Sequence, residues 1–195
     1  VLGSVYEFDP IKTKDFELLN PECFFTDDTA MSVAVADSLM NGVDYVESLQ
    51  AWARKYPAAG YGGRFGNWIY EDFPEAYHSF GNGSAMRCSS VGWLFDDEEA
   101  VLKEAEESAK FTHNHPEGIK GAQAVALSVI LGRKGCSKNE IREKLELCFD
   151  YDLRQKLSQI RPKYGFDETC QGSVPQAVIA FLESTDFEDA IRNAI

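Results

Sequence analysis

The sequence has 195 residues and a mass of 21.8 kDa, with 44% hydrophobic and 26% charged residues. This length and composition predict one globular domain over residues 1–195 and exclude collagenous, disordered and disulfide-dependent chains. The formal net charge of −13 disfavours a broad binding surface for nucleic acid or anionic lipid. Any anionic ligand must therefore be bound by a local site.

The cysteines and the apolar runs predict a soluble, cytoplasmic protein. The longest apolar run, Ala124 to Leu131, is far shorter than the roughly 20 residues needed to span a bilayer, and no leader pattern opens the chain. Five cysteines without a CxxC pair are typical of reduced thiols. The chain starts at Val1 and residues 186–195 resemble a helix without a C-cap signal, so we expect a truncation at both ends.

Apolar residues recur at helical spacing, and strict alternation is almost absent, which predicts an all-α protein. We expect a single bundle of roughly eight to ten helices. Two capping boxes are predicted, at Ser137 with Glu140 and at Ser173 with Gln176, while a glycine-rich loop covers 58–66. The predicted helices are 29–40, 44–56, 83–94, 97–111, 117–131, 137–149, 173–182 and 186–195.

Two adjacent carboxylates, Asp27 and Asp28, lie between the hydroxyls of Thr26 and Thr29 at the start of an apolar helix. Carboxylate, hydroxyl and water oxygens are the ligands that Mg²⁺ prefers, so this segment is a candidate metal site. Asp and Thr are also common N-caps and favour the positive end of a helix. Both interpretations fit the pattern.

The segment from Ser79 to Arg87, SFGNGSAMR, is a glycine-flanked turn that leads into a helix. Free N–H groups at such a turn can hold a phosphate, and the Ser84 hydroxyl could add a donor. Small residues at a helix start equally permit close helix packing without any ligand. Arg87, about one turn into the helix, could pair with an acid.

The segment Thr112 to Ala122, THNHPEGIKGA, contains an HxH pair, His113 and His115, before a proline. Two histidines in a loop lack a third zinc ligand, so a histidine hydrogen-bonded to a ligand or to backbone is favoured. Gly118 and Gly121 within the following helix predict a close backbone approach. Glu7, in the early segment GSVYE, is by itself typical of a solvated carboxylate.

Taken in this order, five segments resemble the ADP-ribosylglycohydrolase family, which includes the glycohydrolases that reactivate ADP-ribosylated dinitrogenase reductase. Each motif is weak alone, but five in register are specific, and together they cover nearly the whole chain. The segments are GSVYE at 3–7, FTDDTAM at 25–31, GNGSAMR at 81–87, THNHPEGIKGA at 112–122 and GSVPQA at 172–177.

The resemblance implies a compact, orthogonal α-helical bundle with a binuclear Mg²⁺ centre that cleaves the N- or O-glycosidic bond between ADP-ribose and a protein side chain. Its implied partners are ADP-ribose or an ADP-ribosylated protein. The implied catalytic residues are Glu7, Asp27 and Asp28, with Glu7 in a gating or general acid/base role. The implied metal ligands are Thr26, Asp27 and Asp28, and the implied substrate-binding residues are Gly81, Asn82, Gly83, Ser84, Met86 and His113.

The sequence departs from the family pattern at both ends. The family completes its metal site with a second acidic cluster, GGDSDT, after a helix resembling 186–195, and it has a Gly-Asp pair before the position of Gly3. Neither is present here. The alternative is therefore a non-catalytic relative with a binding or structural role. Thermal stabilisation by ADP-ribose, with and without Mg²⁺, distinguishes the two.

Overall fold

A computed structural model describes residues 1–195, and its regular secondary structure is almost entirely helical. A short 3-10 turn at Ser4–Tyr6 (the N-terminal turn) precedes eleven α-helices, and the β-structure is limited to one antiparallel bridge between Gly81 and Thr169. The helices are α1 Asp27–Asn41, α2 Tyr45–Lys55, α3 Gly63–Trp68, α4 Gly83–Met86, α5 Ser89–Leu94, α6 Glu98–Lys110, α7 Pro116–Arg133, α8 Lys138–Phe149, α9 Leu157–Ile160, α10 Cys170–Glu183 and α11 Phe187–Ala194.

The all-α prediction is confirmed, and local signals place most of the helix ends. The capping box at the start of α8 is present: the Ser137 side chain accepts from the backbone N–H of Glu140, and the Glu140 carboxylate accepts from the backbone N–H of Ser137 at 2.7 Å. Helix α1 ends at Gly42, whose positive φ of 68° gives the left-handed C-cap that glycine favours. Both signals were readable from neighbouring residues alone.

Two predicted helices are wrong in detail. The helix predicted over 83–94 is two helices, α4 and α5, separated at Arg87 and Cys88. The capping box predicted at Ser173 is absent, because α10 begins earlier, at Cys170. Thr169 is its N-cap and accepts from the backbone N–H of Gly172 at 3.0 Å. The Ser173 hydroxyl instead donates to the Thr169 carbonyl at 2.6 Å.

Helix α7 is the centre of the bundle, and α4, α5, α6, α8 and α10 pack around it. Its sequence is apolar on several faces, as expected of a helix surrounded by others. Glycines allow the closest approaches: a Cβ at Gly92 of α5 would lie 2.5 Å from the Ala126 carbonyl oxygen and 2.6 Å from the Val129 Cβ. Helices α5 and α7 therefore touch through nearly bare backbone.

The core is one connected cluster of 31 buried hydrophobic residues, to which α1, α2, α7 and α10 all contribute. Its largest members include Trp68, Met31 and Leu127. All five cysteines are free thiols, and Cys88 and Cys170 are buried. None of the helices combines the length and the apolar character that a bilayer crossing requires.

The contact between α5 and α7 gives a direct stability test. Gly92→Ala should lower the free energy of unfolding by about 1–3 kcal/mol, because the methyl group meets backbone and a β-branched side chain that cannot move aside. Gly132→Ala is the matched control: it lies in α7, its Cβ would meet nothing within 4 Å, and it should stabilise by about 0.5–1 kcal/mol. Urea unfolding measures both. Equal effects of the two substitutions would contradict the tight contact.

Candidate functional site

The N-terminal turn is fixed beside the start of α1, which brings Glu7 to the acidic segment. The backbone N–H of Phe24 donates to the Ser4 hydroxyl at 3.0 Å, and the Cys23 thiol donates to the Leu2 carbonyl at 3.4 Å. Since Glu7 directly follows the turn and Phe24 lies two residues before Thr26, these bonds hold the two segments side by side.

Thr26 occupies the N-cap position of α1 but does not act as a side-chain cap. Its side chain makes no capping hydrogen bond, and its hydroxyl donates to Oδ2 of Asp28 at 3.0 Å. The backbone N–H of Asp27 donates to the Ala59 carbonyl at 2.8 Å, which joins α1 to the glycine-rich loop. The capping alternative raised by the sequence is therefore not realised by Thr26, whose oxygen instead lies beside a carboxylate.

The carboxylates of this cluster repel one another. Burial, followed by the charges of Asp28 and Glu7, raises the pKa of Asp27 to about 7. Partial burial and the charge of Asp28 also raise the pKa of Glu7, against a smaller opposing effect of the N-terminal amino group. Three acids from two chain segments thus share one electrostatic environment, which we call the acidic cluster: Glu7, Asp27 and Asp28.

The donor set of the acidic cluster fits a hard divalent cation. Mg²⁺ takes one or two carboxylates and keeps several waters, and Asp27, Asp28 and the Thr26 hydroxyl supply that kind of oxygen. A cation would also offset the repulsion from Asp28 and Glu7, which adds to the effect of burial in raising the pKa of Asp27. No three His, Cys, Asp or Glu side chains converge so as to hold a metal ion, so the carboxylates of the acidic cluster share an electrostatic environment without meeting at one point.

Tyr61 is a site residue that the sequence motifs did not identify. Its hydroxyl is buried without a hydrogen-bond partner. Burial, together with the charge of Asp27, raises the pKa of Tyr61 to about 12, so the phenol lies near the acidic cluster. The only sequence signal was its position in the segment 58–66, which was predicted as a glycine-rich loop. That prediction is wrong in part, because α3 begins within the segment at Gly63.

The turn before α4 is tied to the start of α10. The backbone N–H of Asn82 donates to the Glu168 carbonyl at 2.7 Å, and the N–H of Cys170 donates to the Phe80 carbonyl at 2.9 Å. The Asn82 side-chain amide donates to the Ser173 hydroxyl at 3.0 Å. The same amide also lies 3.4 Å from the Asp167 carbonyl, so Asn82 is bonded to three residues distant in sequence, which hold the turn against the start of α10.

Helix α4 packs on α7 and is linked to α1. The Ser84 side chain is fully buried, and its hydroxyl donates to the Gly118 carbonyl at 2.7 Å, so it is not a free donor for a ligand. The Ser32 hydroxyl of α1 donates to the Met86 carbonyl at 3.2 Å. The two groups of candidate residues are therefore joined through α1 and α4 rather than by direct side-chain contact.

His113 lies against the turn before α4. A Cβ at Gly83 would lie 3.1 Å from Nε2 of His113, and a Cβ at Gly81 would lie 3.6 Å from the same atom. Glycine at these positions lets the ring approach the backbone. The ring is only 6% exposed, and burial together with the charge of Arg87 lowers the pKa of His113 to about 3, so the ring is neutral near pH 7.

The second histidine of the HxH pair has a different role. Nδ1 of His115 accepts from the backbone N–H of Glu117 at 3.1 Å and caps α7. The two histidines therefore make separate hydrogen bonds, His115 with backbone and His113 with the Thr112 hydroxyl.

Arg87 differs from the expectation of an acidic partner. Its guanidinium is 1% exposed and donates to the Ser108 carbonyl at 2.8 Å and to the Thr112 hydroxyl at 2.9 Å. Burial lowers the pKa of Arg87 to about 10, which leaves the side chain charged near pH 7. A positive charge is thus buried beneath the turn without a carboxylate to neutralise it.

This bundle has the fold of the ADP-ribosylglycohydrolases. A solved structure described as an ADP-ribosylglycohydrolase-related protein complex superposes with a TM-score of 0.67 at 22% identity, over 88% of this chain and 64% of that one. The family model for ADP-ribosylglycohydrolase matches residues 1–195, and the chain therefore belongs to this family.

Curated relatives agree with the family assignment. ADP-ribosylhydrolase ARH3 of Mus musculus is 30% identical over 159 residues, which are 72% of this chain and 43% of the relative. The Gallus gallus protein of that name is 33% identical over 130 residues, which are 57% of this chain and 35% of the relative. The Homo sapiens protein is 31% identical over 136 residues, which are 60% of this chain and 38% of the relative. The matches thus span less than half the length of these relatives.

Burial of Asp27, together with the repulsion in the acidic cluster, predicts a pH-dependent stability change. The raised pKa of Asp27 means that the folded state binds the proton of this acid more tightly than the unfolded state does. Proton binding therefore stabilises the fold fully below the unfolded pKa of 3.8, and this contribution is lost as the pH rises through about 7. In metal-free buffer Asp27→Asn should therefore be near neutral at about pH 4. At about pH 8 it should stabilise by about 1–2 kcal/mol, after allowance for solvent screening.

Urea unfolding in the presence of a chelator at both pH values tests this difference. Glu143→Gln is the control, because it makes the same change from carboxylate to amide on an exposed position of α8. The control should have the same effect at both pH values. An Asp27→Asn effect that does not change with pH would contradict the raised pKa of Asp27.

Proposed function

We propose that this protein is a hydrolase that releases ADP-ribose from modified protein side chains by cleaving an N- or O-glycosidic bond. The observation that carries this proposal is the acidic cluster, in which Glu7 is held beside Asp27 and Asp28 by the contacts of the N-terminal turn. Membership of the ADP-ribosylglycohydrolase family supports the reaction class. ADP-ribose and an ADP-ribosylated protein are the proposed ligands.

We propose Thr26, Asp27 and Asp28 as ligands of a binuclear Mg²⁺ centre. When bound, Mg²⁺ supplies positive charge that orients ribose hydroxyls and polarises a water near the anomeric carbon. The raised pKa of Asp27 supports this role, because a carboxylate in a repulsive environment gains most from a cation. The hydrogen bond from Thr26 to Asp28 keeps the hydroxyl and carboxylate oxygens on the same side of the helix start.

Glu7 is the proposed general acid/base. It is exposed at the end of the N-terminal turn, which leaves it free to reach a bound ligand, and its pKa is raised by partial burial and by Asp28. A carboxyl group with a raised pKa can hold a proton and transfer it as a glycosidic bond opens towards an oxocarbenium ion. Glu7→Gln should therefore lower turnover while leaving ADP-ribose affinity nearly unchanged.

The turn before α4 and His113 are proposed to bind ADP-ribose. Gly81 and Gly83 let the imidazole approach the backbone, and Asn82 holds the turn against α10. The pyrophosphate is negatively charged, as is the protein as a whole, so local donors and the buried charge of Arg87 must provide the attraction. The free thiols are in keeping with a cytoplasmic location, which we also propose.

Release of ADP-ribose from a modified protein tests the catalytic assignment. Asp27→Asn and Asp28→Asn should each reduce the rate by about 100-fold or more, because each removes a charge that positions the reacting groups. Glu143→Gln, on the exposed side of α8, should keep full activity. The assay uses this chain and, where its coding sequence continues, the longer product. An active product that is indifferent to both aspartate substitutions would contradict the assignment.

A thermal unfolding scan separates the hydrolase from a non-catalytic relative. For the hydrolase, ADP-ribose should raise the melting temperature of the wild type, and Mg²⁺ should increase that shift. Asp28→Asn should abolish the Mg²⁺ contribution while keeping a shift due to ADP-ribose alone. If neither compound shifts the wild-type melting temperature, the non-catalytic alternative is favoured.

A further inference from the structure

Three buried side chains beneath the turn form a continuous series of hydrogen bonds. Arg87, immediately after α4, donates from its NH2 group to the Thr112 hydroxyl at 2.9 Å. The same hydroxyl lies 2.7 Å from Nδ1 of His113. Arg87 and Thr112 are 1% and 0% exposed, so water cannot replace either partner. The series ends at the imidazole that lies against Gly81 and Gly83.

The direction of each hydrogen bond follows from what each group can do. A guanidinium can only donate, so the Thr112 oxygen accepts from Arg87. The hydroxyl has one proton, and the nearby group that can accept it is Nδ1 of His113. The opposite direction would leave a buried hydroxyl proton without an acceptor, which proteins avoid. Nδ1 is therefore the acceptor and carries no proton.

The protonation of the other ring nitrogen then follows. His113 is neutral, since the buried ring lies near a permanent positive charge on Arg87. A neutral imidazole has one N–H, so the proton must be on Nε2. Nε2 has no hydrogen-bond partner within the protein, and it is the ring atom that a Cβ at Gly83 would approach most closely, at 3.1 Å. The ring therefore presents a hydrogen-bond donor at the turn.

We propose that Arg87 and Thr112 are positioning residues that hold His113 in the Nε2–H tautomer, so that the imidazole donates a hydrogen bond to an anionic oxygen of ADP-ribose. This inference rests on the proposed function for the identity of the ligand, but the tautomer itself is a property of the free protein. The buried charge of Arg87 acts in the same direction, because it polarises the Thr112 hydroxyl and favours negative charge near the turn.

Nitrogen-15 NMR of the imidazole groups tests the tautomer without any ligand. The chain has three histidines, and His113→Gln assigns the relevant signals. Wild type should show a pyridine-type Nδ1 and a pyrrole-type Nε2 for residue 113. Thr112→Ser should keep this pattern, because it keeps the hydroxyl, whereas Thr112→Val should lose it or give a mixture of tautomers. A protonated Nδ1 in the wild type would overturn the inference, whether or not the valine variant folds.

ADP-ribose binding, measured by calorimetry, tests the consequence for the ligand. Thr112→Val should raise the dissociation constant for ADP-ribose by about ten-fold, whereas Thr112→Ser should bind with about the wild-type value. Equal affinity of the valine variant, once its fold is verified by its unfolding transition, would contradict the positioning role. A wild type that has the expected tautomer but does not bind ADP-ribose would contradict the proposed function and leave the tautomer assignment intact.

Discussion

The close approach of α7 to its neighbours is the constraint on which the candidate site depends. A Cβ at Gly118 would lie 2.7 Å from the Ser79 carbonyl oxygen, and a Cβ at Gly121 would lie 2.4 Å from the Cys170 thiol. Neither space admits a side chain. Because α7 has bare backbone at these points, the turn before α4 and the first residue of α10 can both lie directly on it. The buried hydroxyl of Ser84 completes this contact by donating to the Gly118 carbonyl.

The same packing explains why a charged side chain is tolerated in the interior. Arg87 follows the four-residue helix α4, and the break before α5 directs its guanidinium to the end of α6, where it meets the Ser108 carbonyl and the Thr112 hydroxyl. An arginine without a carboxylate partner is costly to bury, so its hydrogen bonds must be well made. Both hydrogen bonds come from the same terminal nitrogen, and Nε is buried without a partner. The retained positive charge acts on whatever occupies the neighbouring turn.

Local sequence patterns predicted the elements of this fold better than the contacts between them. The helical period, the Ser137 capping box and the glycine after α1 depend on residues close in sequence, and the structure has all three. The false box at Ser173 had the right residues, but Thr169 is bridged to Gly81, and this long-range contact starts α10 earlier. The positions of Glu7 and Tyr61 beside α1 likewise depend on chain segments that only the folded structure brings together.

The candidate site has two ends with opposite electrostatic demands, and they belong to different helices: the acidic cluster lies at the start of α1, and the turn precedes α4. The acidic cluster repels itself and favours a cation, whereas the turn above Arg87 favours an anion. If the two ends met directly, Asp28 and Arg87 would neutralise each other and neither would attract a ligand. The hydrogen bond from Ser32 to the Met86 carbonyl fixes α1 against α4 and so sets the position of the acidic cluster relative to the turn. Under the proposed function, the ribose of the ligand faces the acidic cluster and its pyrophosphate faces the turn, so that two local sites offset the repulsion that the net charge of the protein exerts on an anion.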